Sequence, residues 1–135
     1  MAVRFTWKNE YQNRDDGQAP RRLKSGVEDI CYTEDKLYSQ RHLVINLWRN
    51  HADNIEDTSS KIIDELRENI GAFDYHVNED DQHSQSIHIR QMDRKDIMKM
   101  IGYLVENAWL NNDVQAGMVR DFGLLDEHDK HSRFR

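Results

Sequence analysis

Apolar residues recur along this chain with two different periods, and the point where one gives way to the other sets the fold class. Ile62, Ile63, Leu66 and Ile70 fall three to four apart, the spacing that gives a helix one apolar face. Gly71 follows and is a natural helix stop. Beyond it Phe73, Tyr75 and Val77 alternate with Asp74, His76 and Asn78. After the polar stretch from Glu79 to Ser84, Ile87 and Ile89 alternate with His88 and Arg90. A period of two is that of a half-buried strand, and two such runs around a polar loop read as a β-hairpin. A chain that carries both periods back to back is α+β.

The remaining segments extend this reading. Val3, Phe5 and Trp7 alternate with Arg4, Thr6 and Lys8, so residues 2–8 form another strand. Asn13 to Pro20 is a loop, with Gly17 and the only proline. From Val27 the apolar residues Ile30, Cys31, Leu37, Tyr38, Val44, Ile45 and Trp48 fall near three-to-four spacing, which predicts one long helix or two short ones up to about residue 52. Thr58, Ser59 or Ser60 can start the next helix. Asp93 and Asp96 place acid at the start of another, whose stripe runs from Ile97 through Met100, Leu104 and Ala108. Asn111, Asn112 and Asp113 cap a last one, and residues 127–135 read as a frayed tail. The expectation is a single domain over 1–135: a small antiparallel sheet, made by the N-terminal strand and the hairpin near 72–91, covered by three to five helices.

Composition narrows the class further. The 135 residues are 37% hydrophobic, so the core is thin or is completed by a partner, for which a homodimer is the simplest form. No run of roughly 18 apolar residues suits a membrane span. Residues 1–9 lack the apolar stretch of a signal peptide, and the single cysteine, Cys31, excludes an internal disulfide framework. The expectation is a soluble cytoplasmic protein.

The net charge of -6 is unevenly placed. Residues 1–24 carry six Lys or Arg against three acids, whereas residues 25–70 carry five against ten, and 71–92 one against four. An acidic chain is a poor general binder of nucleic acid, because phosphate neutralisation supplies most of that affinity. Arg21, Arg22 and Lys24 form a local basic cluster that would touch a phosphate backbone, although a solvated loop is the simpler reading of them. The acidic middle suits a basic protein partner. Its candidate contacts are Glu79, Asp80 and Asp81 at the hairpin tip, with Trp48 and Tyr38 as aromatic anchors, although aromatic residues also serve as ordinary core.

The histidines offer a second chemistry. Strand alternation puts Asp74, His76, His88 and Arg90 on one face of the hairpin, where His76 and His88 would meet across the strands. His76, His88 and Asp74 are thus candidate ligands for a divalent transition metal, or a histidine base with its carboxylate. Two histidines on a solvated sheet need neither role. No nucleophile elbow, phosphate loop, dinucleotide fingerprint or metal-binding helix motif is present. The leading expectation is a small acidic interaction protein, an adaptor, inhibitor or immunity-type regulator. A His- or metal-dependent enzyme and a weak nucleic-acid binder are the alternatives.

Overall fold

A computed structural model describes residues 2–10, 23–24, 26–35, 40–48, 54–90 and 92–132. Five strands form one antiparallel sheet: β1 (Ala2–Lys8), β2 (Val27–Asp35), β3 (Gln40–Trp48), β4 (Asp74–Glu79) and β5 (Ser84–Arg90). Three helices complete the order: α1 (Ile55–Asn69) between β3 and β4, then α2 (Arg94–Glu106) and α3 (Asn112–Ser132). The strands lie side by side as β1-β2-β3-β5-β4, so the last hairpin enters the sheet through β5.

The α+β class holds, but the sheet is larger than the sequence reading makes it. Residues 27–35 and 40–48 are strands, not helix. Their inward positions are Ile30, Tyr32 and Glu34 on β2 and Leu43, Ile45 and Leu47 on β3, all buried. Two features hide this alternation. Cys31 and Val44 are apolar residues on the opposite face, and Glu34 is a charged residue on the core face. Together they blur a period of two into something close to three and a half. The abundance of β-branched residues (Val27, Ile30, Thr33, Val44, Ile45) was the better signal. The N-terminal strand consequently pairs with β2, from Ala2↔Asp35 to Lys8↔Asp29, rather than with the 72–91 hairpin.

The helices and the core-facing strand positions share one buried cluster. It joins Trp7, Ile30, Tyr32, Leu43, Ile45, Leu47, Ile87 and Ile89 from strands to Ile62 and Leu66 of α1, Ile97, Met100, Ile101 and Leu104 of α2, and Val114, Met118 and Phe122 of α3. Two buried polar bonds pin helix to strand. Trp7 Nε1 donates to Asp121 Oδ2 at 2.7 Å, and Ser59 Oγ donates to Gln85 Oε1 at 2.7 Å. At Gly117 the Trp7 ring comes so close that an added Cβ would sit 3.0 Å from Cδ1.

Caps place the helix ends. Asn54 accepts from Asp57 N and Asp93 from Asp96 N, each three residues on, so α1 begins a turn earlier than Thr58 to Ser60 suggest. Gly71 follows α1 with φ +125°, a conformation L side chains rarely adopt. α3 runs on to Ser132, so the helix includes most of the stretch read as a frayed tail. Its Asp126 and Asp129 both reach Arg94. No described helix is long and apolar enough to cross a membrane.

Candidate partner-binding site

Registers across all five strands array the non-core face of the sheet in rows. One row reads Thr6, Cys31, Val44, His88, His76, and its neighbours read Arg4, Thr33, His42, Arg90, Asp74 and Lys8, Asp29, Asn46, Ser86, Asn78. His76 and His88 do pair directly across the hairpin, their rings stacked at 4.7 Å and 6°. His42 joins them from β3, its ring 5.0 Å from that of His88. The sequence reading missed His42 as a neighbour because it placed the residue on a helix.

Hydrogen bonds tie the stack to its neighbours. Asn78 Nδ2 donates to His88 Nε2 at 3.2 Å, with Ser86 Oγ 2.8 Å from the same nitrogen. His88 Nδ1 lies 3.0 Å from His42 Nε2, and the tautomers of the two rings set which nitrogen donates. Burial first, then the neighbouring histidines and Arg90, hold His42 and His88 below the usual histidine range; only Asp80 pulls His88 the other way.

The geometry brings two of the three candidate ligands, His76 and His88, into contact. Asp74 lies in the adjacent row, opposite Arg90. Parallel stacked rings direct their in-plane lone pairs side by side, and His88 has already committed both nitrogens. Among the described residues no three His, Cys, Asp or Glu are grouped to hold a metal ion. A thiol–imidazole pair is absent too, because Cys31 and His88 are two strands apart, roughly 10 Å. The nearest polar neighbours of Cys31 are Thr6 Oγ1 at 3.5 Å and Asn46 Nδ2 at 3.7 Å.

The partner-contact candidates fare differently. Trp48 pairs with Ser84 at the end of the β3–β5 ladder, and Ser84 O accepts from Asp80 N at 3.1 Å and Asp81 N at 3.5 Å. The tryptophan and the acidic turn thus occupy one end of the sheet. Trp48 is 37% exposed, and Glu79, Asp80 and Asp81 are all exposed. Asp81 Oδ1 accepts from His83 N at 2.6 Å, which shapes the turn. That backbone N–H also holds the Asp81 carboxyl below its usual range. Tyr38, Arg21 and Arg22 lie outside the described residues. Lys24 sits 4.8 Å over the Trp109 ring with its Nζ 3.9 Å from Glu65, so its charge is already engaged.

A second cluster escaped the sequence reading entirely. Glu34, only 3% exposed, accepts from Tyr32 Oη at 2.6 Å, Arg41 Nε at 3.0 Å and both Nε and Nη2 of Arg94. Burial pushes its carboxyl up, but the hydrogen bonds from Arg94, Tyr32 and Arg41 outweigh burial and hold it down at about 2. Arg94 also pairs with Asp126 and Asp129, beside a cavity of about 580 Å³ lined in part by Asp35, Arg41 and Lys95. Four donors on one carboxylate, with the main cation itself paired twice more, make a closed network that joins β2, β3, α2 and α3. Its sequence trace was a lone acid on an apolar strand face.

No family model, no curated protein and no solved structure matches this chain.

Proposed function

We propose that this chain is a macromolecule-binding protein that engages a basic partner at the end of the sheet where Trp48 meets the acidic turn 79–81. The observation that carries the reading is the junction itself: Trp48 pairs with Ser84, and the same Ser84 carbonyl holds Asp80 and Asp81. A partly exposed tryptophan at the same end of the sheet as an acidic turn has the makings of a binding hot spot. The acidic rim would steer a basic partner and make association salt-sensitive. An adaptor, an inhibitor and an immunity-type regulator all belong to this class.

The experiment compares the wild-type chain with Trp48→Ala and with the triple variant E79Q/D80N/D81N, using a partner recovered with the tagged wild-type protein. Trp48→Ala should weaken binding by at least about tenfold, mainly through faster dissociation, the behaviour of a hot-spot residue worth upwards of 1–2 kcal/mol. The triple variant should bind more slowly and lose most of its salt dependence between roughly 0.05 and 0.5 M. Equal binding by all three proteins overturns the proposal.

A further inference from the structure

The outer strand β4 has chemistry that the charged tip alone does not use. It is the last strand of the sheet, hydrogen-bonded to β5 on one side, and among the described residues no strand pairs with its other side. Every second residue of such an edge turns its N–H and C=O outward. Natural edges are commonly blunted by proline, a bulge or lysine. β4 reads Asp-Tyr-His-Val-Asn-Glu, with none of these in the sequence and with unbroken register from Asp74↔Arg90 to Glu79↔Gln85. Five of its six residues are exposed, and Tyr75 and Val77, on the same side of the strand, each keep 39% exposure.

Charge decides what such an edge can accept. Residues 71–83 hold Asp74, Glu79, Asp80 and Asp81 and no Lys or Arg. Two cations from elsewhere stand at the Asp74 end: Arg90 is opposite Asp74, and Arg67 lies 5.7 Å over the Tyr75 ring. A second copy of the chain is a poor occupant. Antiparallel self-pairing of β4 brings two such acidic segments together, and like charges placed across strands are destabilising. A segment with Lys or Arg at the end beside Glu79 to Asp81, and β-forming residues along Tyr75 and Val77, fits both the charge and the apolar step.

We infer that β4 is a strand-addition edge, and that it takes an extended basic segment of a partner protein as a sixth strand. The inference rests on the proposed tip site and gives its partner a conformation. Main-chain hydrogen bonds would supply affinity, alternate side chains over Tyr75 and Val77 would supply selectivity, and the acidic tip would set the direction of the added strand.

The test uses the full chain and synthetic eight-residue peptides of alternating threonine and valine, with two lysines at one end. Control peptides carry two glutamates instead. Two further lysine peptides are N-methylated at one or the other alternate set of backbone nitrogens. Binding is read by amide chemical shifts and titration up to 1 mM. The lysine peptide should bind, shifting β4 amides most, and the glutamate peptide should bind at least tenfold more weakly. Methylation of the set that faces β4 should abolish binding, while methylation of the other set should change it by less than threefold. No binding by any peptide, or equal tolerance of both methylation patterns, overturns strand addition. In the second of these cases, loss of binding in E79Q/D80N/D81N would leave the tip site standing on its own. Undiminished binding of the lysine peptide to that variant, with the methylation pattern intact, overturns both the basic-partner requirement and the tip reading.

Discussion

The two outer strands of this sheet carry similar alternating sequences and meet different fates. On β1, Trp7 is 4% exposed, donates to Asp121 and packs edge-on against Phe122 at 5.9 Å, so α3 seals that side into the core. On β4 the corresponding apolar step, Tyr75 and Val77, keeps more than a third of its surface in solvent, with Arg67 set over the Tyr75 ring and Phe73 beside it. Alternation alone does not bury a strand. A helix with a residue small enough to admit the ring, here Gly117, makes the difference.

That contrast can be broken most forcefully at Trp7. Trp7→Ala removes a buried indole and leaves Asp121 without its donor, and should cost about 3–5 kcal/mol in urea unfolding. Tyr75→Ala on the other edge should cost roughly 1 kcal/mol or less, the scale of one cross-strand pair. Equal losses would mean that β4 is as sealed as β1.

The Glu34 network is the next largest effect. Arg94→Ala should destabilise by about 3 kcal/mol, the low end for a broken buried pair, because Arg41 and Tyr32 still hold the carboxylate. Glu34 lies below its ordinary value in the fold, at about 2 against 4.5. Its contribution is therefore complete above about pH 4.5 and is lost as pH falls towards 2. Glu34→Gln should flatten the stability profile across that window. An unchanged acid limb would show that Glu34 is not the group responsible.

Glycine replacement sharpens the comparison at about 1 kcal/mol. Gly123 in α3 has nothing within 4 Å of an added Cβ, so Gly123→Ala should raise stability by roughly 0.5–1 kcal/mol through helix propensity. Gly117→Ala gains the same propensity but pushes a methyl against Trp7, and should fall clearly short of that gain. Thermal unfolding of the two variants ranks them directly.

The smallest effect concerns the histidines that tie β4 to the rest of the sheet. The folded pKa values of His42 and His88 lie below the ordinary histidine value of 6.5. The unfolded chain then binds protons first, so stability is complete above about pH 6.5 and declines as pH falls through the lower folded values. Amide exchange on β4 and β5 should accelerate between pH 6.5 and 5 beyond the trend of α2. Stability that rises on acidification would reverse the sign argued here.

The hairpin at 74–90 was legible because its apolar residues keep to one face and its turn is wholly polar. The direct pairing of His76 with His88, and the meeting of Trp48 with the acidic turn, differ in this respect. The first follows from strand alternation, whereas the second needs the β3–β5 register, which no local pattern encodes. β2 and β3 were illegible as strands for the reasons residues 31, 34 and 44 make plain. Glu34 is charged yet faces the core, because Arg94, sixty residues away, supplies its counter-ion. A sequence window reports propensity and period, not the arrival of a distant cation.

The strand order has a kinetic consequence. β1, β2 and β3 form a meander of neighbouring strands, and β4 with β5 forms a local hairpin, and within the sheet the two units join through the β3–β5 ladder. No pairing across that seam is shorter along the chain than Trp48 to Ser84, and the whole of α1 lies between them. Closing so long a loop costs entropy before any rung rewards it. The seam should therefore set the folding rate: weakening it at Ile45 or Ile87 should slow refolding, while Tyr75→Ala should act chiefly on unfolding. Equal partition of both substitutions between the two rates would place the barrier elsewhere.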